Sequence, residues 1–177
     1  VEDPREFEQL LEIYNRYPVS LLIIHPRVRR AFYNGPVDMA EFEKTLAESK
    51  IPVCYSGNLC SMDDIHSFSA SHPAVGSVML GRGLIGDPGM LSPKDTDVKT
   101  LLAFYDELLE QYTRFFGGPR NAMFRLKEHW RYFLRRFENA EKLGKRLKKT
   151  TDVNEYRAIT HEIIRNCPMR NRLEPDW

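Results

Sequence analysis

The stretch Ser-Val-Met-Leu-Gly-Arg-Gly-Leu-Ile-Gly-Asp-Pro, residues 77–88, decides how the rest of the chain is interpreted. Its first four residues are small or apolar and include a β-branched valine, which predicts a buried strand. Gly81, Arg82 and Gly83 follow at once. Glycines let backbone N–H groups approach an anion closely, and an arginine adds a planar cationic fork. The stretch therefore indicates either a phosphate-binding turn or an ordinary strand-to-helix connection whose arginine faces solvent.

Two earlier segments show the same pattern, an apolar run that stops at polar residues. Residues 19–24 and residues 51–55 are largely apolar throughout, which predicts short strands buried on both faces, as in parallel sheets. Helical spacing of apolar residues at 4–16, 38–49 and 61–69 predicts helices before and between the strands. This alternation indicates βαβ units. The three strand ends read His25-Pro26-Arg27, Ser56-Gly57-Asn58 and Gly81-Arg82-Gly83.

Parallel strands place their carboxyl ends at one edge of a sheet, so we expect the three strand ends to lie together. Such an edge suits a phosphorylated cofactor, held by the last two turns, with His25 and Arg27 reaching its ring or the substrate. The alternative for His25 is a packed or hydrogen-bonded structural role. The pattern is typical of an α/β protein built as part of a (β/α)8 TIM barrel. A Rossmann fold is disfavoured, because no G-x-G-x-x-G follows a strand.

From about residue 96 onward, the pattern changes to helices alone. Apolar spacing predicts one helix that ends before Gly117, a second over about residues 120–149 and a last one over residues 152–164. Asp152 with Glu155 three residues later is a capping signature for the last of these helices. We therefore predict two domains, a partial barrel at residues 1–95 and a small all-helical domain at residues 96–177.

Charge is distributed unevenly along the chain. Residues 1–113 carry 10 Lys and Arg against 17 Asp and Glu, whereas residues 114–177 carry 16 against 8. Clustered Lys and Arg attract phosphate backbones by counterion release, so the basic part favours nucleic-acid contact. The alternative is an ordinary solvated helix face.

Composition excludes several classes of protein. No apolar run approaches the ~20 residues of a membrane span, so we expect a cytoplasmic protein without membrane contact. The three cysteines, Cys54, Cys60 and Cys167, lack C-x-x-C spacing, which argues against a disulfide framework and against a zinc ribbon. No metal ligands are predicted.

Taken together, the strand ends resemble the consecutive motifs of tRNA-dihydrouridine synthases. The resemblance implies a flavin-binding TIM barrel followed by a helical tRNA-binding domain. It also implies reduction of a uridine C5–C6 bond in tRNA, with FMN as cofactor and NADPH as reductant. The matching segments are His25-Pro26-Arg27 with Tyr33 and Gly35 downstream, residues 51–58 and residues 78–88.

The resemblance also implies roles for individual residues. In the family the second motif usually reads Asn-Gly-Asp, whereas this chain has Ser56-Gly57-Asn58, which keeps the backbone donors but changes the side chains. The implied cofactor contacts are His25, Arg27, Ser56, Gly57, Asn58, Gly81 and Arg82. The implied substrate and tRNA contacts are Arg27, Tyr33, Arg120, Arg125, Lys127 and Arg131.

The resemblance covers only the last three barrel strands and the helical domain. The family's proton-donating cysteine and its flavin-contacting lysine lie on earlier segments, and none of Cys54, Cys60 and Cys167 matches that cysteine. We therefore assign no catalytic residue and expect a fragment that is inactive by itself.

Three strands cannot close a barrel, so we expect the sheet edge before His25 to self-associate or to bind a missing N-terminal barrel half. Two further hypotheses remain. One is a non-catalytic truncated barrel that binds tRNA through its basic helices. The other is a different phosphate-binding barrel enzyme with a helical tail.

Overall fold

The computed structural model describes residues 4–29, 35–94 and 96–173. The chain divides into two compact units, the first running to Gly81 and the second beginning at Arg82. The sequence predicted a boundary between residues 95 and 96 instead. The division comes earlier because the short helix that starts at Arg82 packs against a long helix of the second unit.

The first unit alternates helices and strands. Its strands form one parallel sheet in the order β1-β2-β3, with Ile24 opposite Tyr55 and Tyr55 opposite Val78. Three parallel strands with intervening helices confirm the predicted α/β class. The elements are α1 (Pro4–Tyr14), β1 (Leu22–Ile24), α2 (Met39–Glu48), β2 (Val53–Tyr55), α3 (Met62–Ser71) and β3 (Ser77–Val78).

Local capping explains where two of these helices begin. The Asp38 carboxylate accepts a hydrogen bond from the Glu41 N–H at 3.0 Å, which satisfies an open donor in the first turn of α2. Ser61 does the same for the Asp64 N–H at the start of α3, at 3.1 Å. Both caps act between residues three apart in the sequence, and the helices predicted over residues 38–49 and 61–69 begin at these two capping residues.

The face of the sheet that carries Tyr55 packs against helices, whereas the opposite face is buried at β2, where Cys54 is 4% exposed, and open at β1. Tyr55 lies under the helices, where its ring stacks on Phe68 with centroids 4.1 Å apart and meets the Phe42 ring edge-on at 4.9 Å. The residues that point to the opposite face of β1 remain exposed, Leu21 at 42% and Ile23 at 50%. Strand β2 is buried throughout, as predicted, but the prediction that β1 and β3 are buried on both faces is wrong.

The named elements of the second unit are helices. Their core centres on Trp130, whose indole N–H donates a hydrogen bond of 2.9 Å to the Tyr156 hydroxyl, with both groups buried. An isolated antiparallel bridge joins Phe137 to Met169. The helices are α4 (Arg82–Gly86), α5 (Val98–Phe115), α6 (Pro119–Phe133), α7 (Glu141–Lys149) and α8 (Val153–Asn166), and a 3-10 helix (Leu134–Arg136) follows α6.

The single helix expected over residues 120–149 is interrupted, so that prediction is wrong. Asn139 adopts a positive φ of 58°, which asparagine tolerates better than most residues. The Glu138 N–H donates to the Pro168 carbonyl, and the Arg170 N–H donates to the Arg136 carbonyl, both at 2.8 Å. These bonds to a distant segment replace helical hydrogen bonds. No glycine or proline at the break indicates the interruption in the sequence.

The last helix begins as predicted. The Asp152 carboxylate accepts a 2.7 Å hydrogen bond from the Glu155 N–H, and α8 starts at the next residue, Val153. Among the residues the structure describes, every helix is too short or too polar to cross a membrane.

Candidate functional site

The carboxyl ends of the three strands lie along one edge of the first unit. We call this the strand-end edge and define it as residues 25–27, 56–58 and 79–81. The Ser56 N–H donates to the Ile24 carbonyl, and the Met79 N–H donates to the Tyr55 carbonyl, both at 2.8 Å. These ladder bonds hold each strand end beside the next, so the polar residues of the first unit's three ends occupy one edge.

His25 is fixed in orientation at this edge. Its Nδ1 lies 2.6 Å from the Ser56 carbonyl oxygen, and because a carbonyl only accepts, Nδ1 carries the proton and donates. In the neutral ring Nε2 is then the atom with the lone pair. The side chain is hydrogen-bonded, as the structural alternative required, and the residue is nevertheless exposed to solvent.

Arg27 presents buried donors next to His25. Its Nη2 donates to the Gly35 carbonyl at 2.8 Å, while Nε and Nη1 are buried and make no hydrogen bond to any described residue. A buried donor without a partner costs about 1–3 kcal/mol, which points to an acceptor that Arg27 binds. Tyr33, predicted to act beside Arg27, lies outside the described residues.

A cavity of about 300 Å³ opens beside Arg27 and His25. Apolar residues of α1, β1 and α2 line part of the cavity, and Asp38 and Glu41 add carboxylates. Burial raises the pKa of Glu41 above its usual value. The cavity is at the low end of the ~300–1,000 Å³ range of ligand pockets. Nothing in the sequence distinguishes Glu41 beyond its place in a predicted helix.

The two glycines of the strand-end edge differ in their surroundings. A Cβ at position 57 would lie 2.0 Å from the Tyr55 hydroxyl oxygen, so Gly57 is required by the packing of the Tyr55 ring. A Cβ at position 81 would meet no atom within 4 Å. Gly81 therefore offers open backbone that an anion can approach, whereas the glycine at position 57 has a structural cause.

The remaining residues predicted to contact the cofactor are Ser56, Asn58 and Arg82. Ser56 is buried, and its backbone N–H and carbonyl are both used in the hydrogen bonds described above. Asn58 is half-buried after Gly57. Arg82 is the first residue of the second unit, at the start of the five-residue helix α4. Its predicted role at the cofactor stays a prediction.

The basic residues proposed for tRNA lie on α6. Arg120, Arg125 and Arg131 are exposed. Arg125 pairs with Glu128 at 3.8 Å and lies 5.7 Å from the centre of the Phe116 ring. These arginines present positive charge at the helix surface, which is suited to a phosphate backbone.

Lys127 has a different environment from these arginines. Its ammonium group donates to the Thr150 carbonyl and, at 3.4 Å, to the Lys148 carbonyl, at the C-terminal end of α7. Burial lowers the pKa of Lys127. Cations satisfy the open carbonyls at helix C-termini, so this lysine has a structural role that sequence reasoning missed.

Cys54, Cys60 and Cys167 are free thiols. Cys54 and Cys60 are buried, and burial raises the pKa of the Cys167 thiol, which disfavours the thiolate. No group of metal-ligating side chains occurs among the described residues.

The sequence matches one protein-family model and is similar to two curated proteins. The family model for dihydrouridine synthase (Dus) matches residues 2–165. A probable tRNA-dihydrouridine synthase of Rickettsia bellii is 35% identical over 92 residues, and one of Rickettsia conorii is 33% identical over 92 residues. Each alignment covers 51% of this chain, and they cover 28% and 27% of the respective relatives.

Proposed function

Because this chain belongs to the dihydrouridine synthase family, we propose that it takes part in dihydrouridine formation in tRNA. In this proposal the first unit contributes to a flavin site and the second unit binds the RNA. The alignments cover about a quarter of the length of these curated relatives. The observation that carries the proposal is the strand-end edge, where the exposed His25, the buried donors of Arg27 and the open backbone of Gly81 share one side of the sheet.

The sheet is proposed to form part of a (β/α)8 barrel. In a barrel, one face of every strand packs against helices and the other faces an interior filled by side chains from the other strands. The exposed Leu21, Ile23 and Met79 support this proposal, because they form an apolar face opposite the helices. Either further barrel strands or a second copy of the chain would cover it, and light scattering that finds only monomer would contradict self-association.

The residues of the strand-end edge fit a flavin mononucleotide. Gly81 leaves room for a phosphate at its backbone, beside the turn at residues 56–58, and the family resemblance adds Arg82. The free donors of Arg27 suit the carbonyl oxygens of a flavin or a uracil ring, and His25 would lie beside that ring. FMN, with NADPH as its reductant, would supply the electrons for the uridine C5–C6 bond.

The second unit is proposed to bind tRNA through α6. Arg120, Arg125 and Arg131 are exposed, and residues 114–177 carry 16 Lys and Arg against 8 Asp and Glu. Lys127 is assigned to the end of α7, because carbonyl groups already hold its ammonium group. Such a surface binds RNA with an affinity that falls steeply with salt.

A cytoplasmic location stays a prediction.

The test measures flavin and tRNA binding in the same variants. FMN binding is followed by quenching of flavin fluorescence, and tRNA binding by filter retention across a salt series. We expect Arg27→Met to weaken FMN binding by about tenfold or more, since a charge-assisted hydrogen bond contributes about 1.5–3 kcal/mol. Arg29→Met, an exposed arginine two residues away, is the matched control and should leave FMN binding unchanged.

The second half of the test concerns α6. The double variant Arg120→Gln with Arg131→Gln should lower the slope of log affinity against log salt by about 2, with FMN binding unchanged. Salt-dependent tRNA binding by a wild-type chain that binds no FMN would reduce the proposal to a non-catalytic tRNA-binding protein. FMN binding without tRNA binding would indicate a different phosphate-binding enzyme.

A further inference from the structure

The turn between α5 and α6 exposes an aromatic ring that the proposed function does not use. Phe115, the last residue of α5, is 83% exposed, more than any other large hydrophobic side chain among the described residues. The buried residues of α5 are Leu101, Tyr105 and Leu109, and Phe115 is not among them. A ring that is so fully in water is available for contact with a partner.

The turn holds this ring in a defined position. The Gly118 N–H donates to the Thr113 carbonyl at 3.0 Å, and Gly117 has a positive φ of 69°, which together form a Schellman cap at the end of α5. The Phe115 ring meets the Phe116 ring edge-on, with centroids 4.9 Å apart and planes at 85°. Phe116 in turn packs against Tyr112, with ring centroids 5.4 Å apart. The Phe115 ring therefore contacts a ring that itself packs against α5.

Basic residues outnumber acidic ones from the end of α5 through α6, where Arg114 pairs with Glu110 and Arg125 with Glu128. Residues 114–131 contain five Lys and Arg and one acidic residue. A neighbouring aromatic ring, Phe124, already has the Arg120 guanidinium at 5.8 Å and the Lys127 ammonium at 5.0 Å over it. Phe124, which is 43% exposed, therefore already has two cations over its ring, whereas Phe115 is 83% exposed.

We propose that Phe115 stacks on an unpaired base of the RNA bound by the second unit. This inference rests on the proposed tRNA binding and names the kind of RNA segment that the turn contacts. An exposed ring beside arginines matches a base flanked by phosphates, and base stacking on aromatic side chains tolerates any sequence. Bases inside a duplex are already stacked on each other, so the segment is single-stranded. The excess of cations favours a polyanion over a protein partner.

The experiment uses the full chain and two RNA probes. One is a short unstructured RNA that carries a single 2-aminopurine, whose fluorescence is quenched on stacking, and the other is a blunt duplex of the same length. We expect Phe115→Leu to bind the unstructured RNA at least about fivefold more weakly and to lose the quenching, because it keeps an apolar side chain without a ring. Phe115→Trp should restore both, and duplex binding should stay unchanged.

Phe104→Leu provides the matched control. Phe104 is also exposed, and it lies on the same helix eleven residues earlier, about 16 Å away along the axis. The Phe104→Leu variant should bind both RNA probes as tightly as the wild type does. Each variant should keep the wild-type midpoint of thermal unfolding, because neither ring is buried in the core.

Four outcomes would overturn the inference. Equal binding of the unstructured RNA by wild type and Phe115→Leu, with salt dependence intact, would remove the stacking role and leave the proposed tRNA binding in place. An equal loss of duplex binding would show that Phe115 acts through the shape of the basic surface, and a Phe115-dependent protein contact without RNA binding would assign the ring to a protein partner. Failure of the wild-type chain to bind any RNA would overturn the proposed function as well.

Discussion

The two units of this chain differ in how completely they bury their apolar side chains. Ile163 in α8 is completely buried, whereas Ile23 in β1 is half exposed. The helices of the second unit enclose a core from all sides, but a sheet of three strands has two faces and its helices pack on one of them. The contrast teaches that the second unit satisfies its own packing, while the first presents an apolar face suited to further structure.

The largest expected effect comes from truncating these two isoleucines. Ile163→Ala should lower the free energy of unfolding by about 2–5 kcal/mol, because it removes buried methylenes and leaves a cavity. Ile23→Ala should change it by less than about 0.5 kcal/mol, as at an ordinary surface position. Urea titrations followed by far-UV circular dichroism measure both.

One result would remove this difference between Ile23 and Ile163. If Ile23→Ala proves as destabilising as Ile163→Ala, and its effect grows with protein concentration, the exposed face is covered by a second copy of the chain. The first unit would then be packed on both faces in solution, and the proposal that further barrel strands cover the sheet would lose its main support.

A smaller effect is expected from the two glycines of the strand-end edge. Gly57→Ala should destabilise the first unit by about 1–3 kcal/mol, because its Cβ would collide with the Tyr55 ring held between Phe42 and Phe68. Gly81→Ala should be neutral or stabilise by up to about 1 kcal/mol, since its Cβ enters open space. Thermal unfolding of both variants measures the difference, and equal losses would contradict the packing role of Gly57.

The smallest effect concerns the start of α5 in the second unit. The Asp97 carboxylate accepts a 2.6 Å hydrogen bond from the Thr100 N–H, which lowers the pKa of Asp97 below its usual 3.8. Folding therefore gains stability from this group above pH 3.8 and loses it as the pH falls through the lowered pKa. Asp97→Asn keeps the cap without the titration, so it should lose less stability than the wild type in acid. Parallel pH dependence of the two proteins would contradict this role.

The features that sequence predicted best are those set by neighbouring residues. The starts of α2, α3 and α8 follow from Asp38, Ser61 and Asp152, each of which caps a donor three residues later. The α/β class follows from the alternation of apolar runs with helical spacing, which is also local. In these cases the physical cause lies within a few residues of the element that it shapes.

The features that sequence missed depend on distant segments. The break after α6 is stabilised by backbone bonds to residues 168 and 170, and the role of Lys127 depends on the end of α7. Exposure of Ile23 follows from the number of strands beside it, although its sequence is as apolar as that of a fully buried strand. Gly57 and Gly81 were both predicted to contact the cofactor. The structure distinguishes them, because only a Cβ at position 57 would collide with the Tyr55 ring.

The central claim is that the strand-end edge binds the phosphate of FMN, and one measurement tests it directly. The dissociation constant of FMN, from quenching of flavin fluorescence, is compared among the wild type, Gly81→Ala and Gly76→Ala. Gly76 also has open space around its Cβ position but lies at the other end of β3, so it is the matched control. We predict that Gly81→Ala binds FMN about tenfold more weakly, since a methyl group would keep the anion from the backbone, while Gly76→Ala binds as the wild type does. Equal affinity in all three proteins would contradict the claim.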